Sequence, residues 1–156
     1  MKLYIVRHGK SPSPEEAKVL TDAERPLNEE GRQDISLMAQ YLLSRNAKPE
    51  IIFSSPLRRA FQTARELAVV LHPALGVKRV PALSGAVDVE DLWEALNWEL
   101  KDKNFTEAAL VGHQPQLSHL VEFLTKGPAP EIRPGTVVAL ETAMGKPARL
   151  LWSQNP

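Results

Sequence analysis

The chain has no cysteine. Disulfides, thiolate nucleophiles and cysteine-based zinc sites are therefore excluded. It also has no net charge, because nineteen Lys and Arg balance nineteen Asp and Glu. Such a balance argues against non-specific nucleic-acid binding and against a polybasic membrane surface. Any positive field must be local. No stretch approaches the roughly 20 apolar residues of a membrane helix, and the apolar run before Arg7 is too short for the core of a secretory signal. The expected location is cytoplasmic, with neither a membrane nor a nucleic acid as partner.

What is present reads as one domain over 1–156, since 156 residues that are 43% hydrophobic can bury a sizeable core. The apolar run Leu3-Tyr4-Ile5-Val6 predicts a first strand over 2–7, buried on both faces as in a parallel sheet. A long polar loop is expected over 8–27. Asn28 then caps a helix over about 28–45. A second strand is expected over 50–54. Ser55 is read as the N-cap and Pro56 as the first residue of a helix reaching about Leu71. Further strands are expected over 77–80, 107–111, 136–141 and 149–152. Helices are expected from an Asp88 cap, with Leu92, Trp93, Leu96 and Leu100 as the buried stripe, and over about 116–126. Strands alternating with helices predict an α/β fold: a three-layer αβα sandwich with a mostly parallel sheet.

Three predicted strands end in chemistry-bearing residues: Arg7-His8-Gly9, Ser54-Ser55-Pro56 followed by Arg58-Arg59, and Gly112-His113. In open α/β sheets, ligands bind outside the carboxyl ends of the strands. Two histidines and three arginines there suit an anionic group, phosphoryl above all. Arg58 and Arg59 fall in the first turn of their helix, where the backbone already carries partial positive charge. Either Asp or Glu side chains offset them or they point into water. A bound phosphate would be better served, by backbone N–H groups and guanidinium forks together. An imidazole with one nitrogen free is nucleophilic, provided the other donates its proton to a fixed acceptor. Gly9 is expected to let a ligand approach the backbone closely. His113 is either a second phosphate ligand or a capping residue. Two histidines also suggest metal, but the neighbouring arginines repel a divalent cation and no carboxylate accompanies them in sequence. No metal or cofactor is expected. His72 and His119 are read as structural or exposed.

These segments resemble the histidine phosphatase superfamily, the phosphoglycerate mutase-like fold. Arg7-His8-Gly9 is similar to its first signature. Ser54-Ser55-Pro56-Leu57-Arg58-Arg59-Ala60-Phe61-Gln62-Thr63-Ala64 is similar to its second, and Val111-Gly112-His113 to its third. The resemblance selects Arg59 over Arg58 as the phosphate-binding arginine, because Ala60 and Thr63 follow it at the family's spacing. Asp22-Ala23-Glu24-Arg25-Pro26-Leu27 and the short chain resemble the phosphohistidine phosphatase group of SixA type. Lys10 departs from many relatives, which carry an acidic or small residue there, and adds charge at the mouth.

The resemblance implies that Arg7, His8, Arg59 and His113 are catalytic, with Gly9, Ser11 and Arg58 contacting substrate. The implied reaction is hydrolysis of phosphohistidine on a protein partner through a phosphorylated His8. A small phosphorylated molecule as substrate, or a non-catalytic phosphoryl-binding module, are the alternatives. Many ester-cleaving relatives carry a Glu or Asp general acid in the loop after the third strand. Here Pro81-Ala82-Leu83-Ser84-Gly85-Ala86-Val87-Asp88 has no carboxylate until the expected cap. An alkoxide is a far poorer leaving group than imidazole without a proton donor. The loop therefore favours cleavage of P–N bonds.

Overall fold

Alternation along the first strand, β1 (Lys2–Arg7), sets up the whole architecture. Leu3 and Ile5 enter one hydrophobic cluster, and Tyr4 and Val6 enter a second on the opposite face. The computed structural model describes residues 1–156. After β1 come α1 (Pro14–Ala17), α2 (Glu29–Ser44), β2 (Ile52–Ser54) and α3 (Arg58–Leu71). Then follow β3 (Val77–Arg79), α4 (Val89–Leu100), β4 (Glu107–Gly112), α5 (Gln116–Thr125), β5 (Val137–Ala143) and β6 (Lys146–Gln154). The first cluster takes Leu92 and Leu96 of α4 with Leu117, Leu120 and Val121 of α5. The second takes Ile35, Met38 and Leu42 of α2 with Ala60, Ala64 and Leu67 of α3. Both faces of the sheet are thus covered, which is the expected three-layer αβα sandwich.

The strand order is β3-β2-β4-β1-β5-β6. The pairs β1–β4, β2–β4 and β2–β3 are parallel, while β5 runs antiparallel to β1 and to β6. The sheet is mostly parallel, as expected, with an antiparallel hairpin at one edge. That hairpin is longer than the expected strands and turns at Met144-Gly145, where Gly145 has φ of 71°.

Several local readings need correction. The 8–27 segment is not a plain loop. Ser13 and Glu16 form a capping box that starts the single turn α1, and a 3-10 turn occupies Asp22–Glu24. Ser55 does not cap α3, and Pro56 is not its first residue. The helix starts at Arg58, and Leu57 holds the cap position without a side-chain bond. Ser55 Oγ instead accepts from Leu57 N–H at 3.2 Å and is drawn to His113. The helix ends at Leu71, as expected, and His72 is its C-cap with φ of 48°. Asn28 and Asp88 do cap α2 and α4, accepting from Gly31 N–H at 2.7 Å and Asp91 N–H at 3.1 Å.

The start of α2 is docked against the exit of β1. Asn28 N–H donates to Lys10 O at 3.0 Å. A Cβ on Gly31 would lie 2.3 Å from that same carbonyl oxygen and 2.9 Å from Lys10 N. Both are backbone atoms, so the contact cannot be relieved by a rotamer change. Gly31→Ala is expected to destabilise by about 1–3 kcal/mol despite alanine's better helix propensity. Urea unfolding would measure this, and a neutral or stabilising result would refute the close docking of α2 on the loop.

Candidate active site

The three chemistry-bearing strand ends meet because their strands are neighbours in register. Arg7 of β1 pairs with Gly112 of β4, and Ser54 of β2 pairs with Val111 of β4. The next residue on each chain is His8, His113 and Ser55. Two further ladder bonds carry the pairing past the strands: His8 N–H to Gly112 O at 3.1 Å, and Ser55 N–H to Val111 O at 2.9 Å. The imidazole rings of His8 and His113 consequently lie 5.0 Å apart, tilted by 49°.

His8 is buried, and its Nδ1 lies 2.7 Å from Gly9 O. A carbonyl can only accept, so Nδ1 carries the proton. Nε2 then keeps its lone pair, with Arg59 Nε 3.4 Å away. Burial pushes the His8 pKa down to about 3. The bond to Gly9 opposes this, and the positive charge of His113, Arg59 and Arg7 adds to it. The ring is a neutral base whose Nε2 lone pair accepts one long hydrogen bond, from Arg59 Nε.

Arg59 is buried, with its two terminal nitrogens on Asp22: Nη1 donates to Asp22 O at 3.0 Å and Nη2 to Asp22 Oδ2 at 3.1 Å. Arg7 donates from Nη1 to Ile132 O at 3.0 Å, and its buried Nε has no protein partner. Burial and the nearby Arg59 lower the Arg7 pKa from its usual value. His113 Nε2 lies 2.7 Å from Ser55 Oγ, and its Nδ1 is buried without a protein partner. Burial, and then Arg59, bring the His113 pKa down to about 4, against an upward pull from Asp22. Buried polar atoms without partners are costly and rare in native structures. Two of them, on Arg7 and His113, lie at neighbouring strand ends.

Thr63 joins two of these elements. Its hydroxyl donates to Arg59 O at 2.8 Å and accepts from Gly9 N–H at 3.1 Å. The threonine four residues after Arg59 therefore fastens the start of α3 to the exit of β1. Gly9 is also closely packed. A Cβ there would meet Ile35 Cγ1 at 3.0 Å, Gly31 O at 3.1 Å and Leu27 Cδ2 at 3.1 Å. A side chain there would press on the start of α2 and on Leu27.

Ser11 lies in the 8–27 segment and Arg58 in the first turn of α3. Ser11 Oγ donates to Pro26 O at 2.6 Å, and Arg58 is exposed, reaching Glu24 O at 3.4 Å. Lys10 pairs with Glu30 and Asp34, so its charge is offset rather than added to the mouth. His119 is exposed, as is His72. On the other side, Gln116 Nε2 donates to Ala82 O at 2.9 Å and to Val87 O at 3.1 Å. This clamps the loop between β3 and α4, in which Leu83 is buried. Asp88, the first carboxylate there, is the α4 cap. No group of three or more His, Asp or Glu side chains is close enough to share a metal ion.

Sequence reasoning missed Asp22, Ser55, Gln116 and the Ile132 carbonyl as neighbours of this cluster. The Asp22-to-Arg25 segment was legible as a resemblance, but its contact with Arg59 was not. The carbonyl of Ile132 carries no side-chain signal at all.

Residues 3–85 match the family model described as the histidine phosphatase superfamily (branch 1). The chain belongs to the histidine phosphatase superfamily. It is 28% identical over 142 residues to phosphohistidine phosphatase SixA of Escherichia coli (strain K12), covering 91% of this chain and 85% of that protein. It is 35% identical over 128 residues to an uncharacterised protein of Picosynechococcus, covering 81% of this chain and 74% of that one. Among solved structures, the protein histidine phosphatase SixA complexed with tungstate matches with a TM-score of 0.88 at 24% identity. That match covers 100% of this chain and 97% of that one. In this member of the superfamily the shared fold is complete across the sheet and both helical layers.

Both buried imidazoles are neutral at pH values where a free histidine charges. Between the ordinary value of about 6.5 and their lowered values, the unfolded chain binds protons that the folded chain refuses. Stability is therefore fully present above that ordinary value and is lost as pH falls towards 4 and 3. Long-range 15N–1H NMR should show both rings neutral at about pH 5.5, with His8 protonated on Nδ1. A His8 ring that titrates near 6.5 would refute this electrostatic account of the site.

Proposed function

We propose that the chain is a phosphatase whose substrate is phosphohistidine on a protein partner. One observation carries this reading: His8 presents a neutral, unprotonated Nε2 while its Nδ1 proton is fixed on Gly9 O. His8 Nε2 attacks phosphorus in line and forms a P–N bond as the bond to the substrate's imidazole breaks. Arg7, Arg59 and His113 hold the equatorial oxygens and offset charge that grows in the transition state. Water then attacks phosphorus, phosphate leaves, and His8 returns to its neutral form. In this scheme the two arginines supply the positive charge, and no metal ion takes part.

The leaving group follows from what surrounds the site. The clamped loop after β3 offers no free carboxylate. Asp22 is near, but the hydrogen bond from Arg25 and the charge of Arg59 lower its pKa, so it is ionised at neutral pH and holds no proton to give. An alkoxide, the conjugate base of an acid nearly as weak as water at about 15.7, needs a proton donor to leave. Phosphohistidine whose other ring nitrogen is protonated expels a neutral imidazole, the conjugate base of an acid of about 6.5, so the substrate brings its own proton. The similarity to SixA of Escherichia coli supports the same substrate class.

The test is mass spectrometry of protein quenched during turnover of phosphoramidate. A phosphoryl adduct on His8 in the wild type, absent from His8→Ala, is expected. Arg59→Ala should lower kcat/KM by about a hundredfold or more, as loss of one preorganised donor does elsewhere. Full activity in His8→Ala would overturn the mechanism. Binding of phosphate without turnover would favour a non-catalytic phosphoryl-binding module. Comparable turnover of alkyl and aryl phosphate esters would favour a small-molecule phosphomonoesterase.

A further inference from the structure

The contact between Asp22 and Arg59 has a bearing on what this site accepts. Arg59 is the more buried partner, its side chain 9% exposed against 59% for Asp22. The carboxylate thus meets the guanidinium from the solvent side, and Asp22 takes both terminal nitrogens. Its placement is not casual. Asp22 Oδ1 accepts from Arg25 Nη1 at 2.9 Å, and Arg25 is itself fastened through Nε to Pro12 O at 2.7 Å and through Nη2 to Ser11 O at 3.4 Å. Arg25 N–H also closes the 3-10 turn on Asp22 O at 3.1 Å. The segment Asp22-Ala23-Glu24-Arg25 is a bracket that holds the Asp22 carboxylate on Nη2 of Arg59 and the Asp22 carbonyl on Nη1.

A guanidinium fork recognises carboxylate and phosphoryl oxygens through the same N–H groups. Asp22 is therefore a competitor of the same chemistry as the ligand. Its one negative charge, shared between Arg25 and Arg59, also offsets part of the positive charge that would attract a dianion. We propose that Asp22 is a specificity-determining residue: a resident carboxylate that an incoming phosphoryl group displaces from Arg59, weakening the hold on free phosphate and small phosphorylated molecules. The inference rests on Arg59 as a phosphoryl-binding residue, as put forward above.

The exchange is practicable because Asp22 keeps its Arg25 partner when it releases Arg59. Neither carboxylate nor guanidinium is left stranded. A small anion has only its phosphoryl contacts with which to drive the exchange. A phosphorylated protein adds contact surface outside the pocket, so the same handicap weighs less on it. Product phosphate, once free of the protein, is again the weaker competitor and leaves.

Isothermal calorimetry with inorganic phosphate on wild type, Asp22→Asn and Asp22→Ala tests this. Asp22→Ala is expected to bind phosphate about tenfold more tightly, equivalent to about 1.4 kcal/mol. Asp22→Asn should fall between, since its amide oxygen still accepts from Arg59 but carries no charge. The KM for phosphoramidate should fall in parallel, without a rise in kcat. Structural damage does not tighten binding, so a merely structural role cannot mimic this result. Unchanged or weaker phosphate binding in Asp22→Ala overturns the proposal alone and makes Asp22 a support for Arg59. Phosphate affinity that Arg59→Ala does not alter overturns the reading of the site, and this proposal with it.

Discussion

Arg7 and Arg59 bring two like charges together at the carboxyl edge of a buried sheet, and the surrounding groups answer to that repulsion. Burying a guanidinium without partners is costly. Arg59 is held by the backbone and side chain of Asp22, and Arg7 by the carbonyl of Ile132. The two imidazoles between these charges cannot also be cationic, and burial together with the arginines keeps both neutral. Burial is the larger cause, and the arginines reinforce it.

That arrangement depends on sheet register rather than on any loop. β1, β2 and β4 are adjacent and parallel, so His8, Ser55 and His113 each leave the sheet at the same level. A one-residue slip of β4 would turn His113 to the other face. The register is secured on both faces at once, because Leu3, Ile5, Ala108 and Leu110 sit in one cluster while Tyr4, Val6, Ala109 and Val111 sit in the other. Thr63 and the close docking of Gly9 and Gly31 then fix α2 and α3 against the strand ends.

This explains which features were legible in the sequence. Apolar runs that stop abruptly at Arg7-His8, Ser54-Ser55 and Gly112-His113 mark buried parallel strands, so both the sheet and the meeting of those ends could be inferred. Local capping rules found Asn28 and Asp88, whose partners lie three residues away. The same rules misplaced Ser55, because a serine before proline satisfies the local pattern while its hydroxyl is taken by His113, 58 residues away. Gly9 was read through ligand access, although what crowds it is Ile35 and Leu27 of a later segment. Asp22 lies 37 residues from Arg59, and no periodicity reports such a pair. Contacts between distant polar side chains and bonds to bare carbonyls leave no signature that a single chain can show.

The two segments at the mouth are held in different ways, and the difference bears on chemistry. The loop after β3 is fixed by Gln116 through two carbonyls and by the burial of Leu83, so it presents backbone and apolar surface. The 8–27 segment is fixed by Arg25 and Ser11, again mostly through carbonyls, and the carboxylate it sets on Arg59, that of Asp22, is ionised and paired. The carboxylate that touches Arg59 therefore holds no proton to give. On the proposed reading, a substrate must therefore bring a leaving group that departs without help. A ring-protonated phosphohistidine meets that requirement, because it releases neutral imidazole, and an alkyl ester does not, so on this reading the selectivity arises from how the loops are tied down.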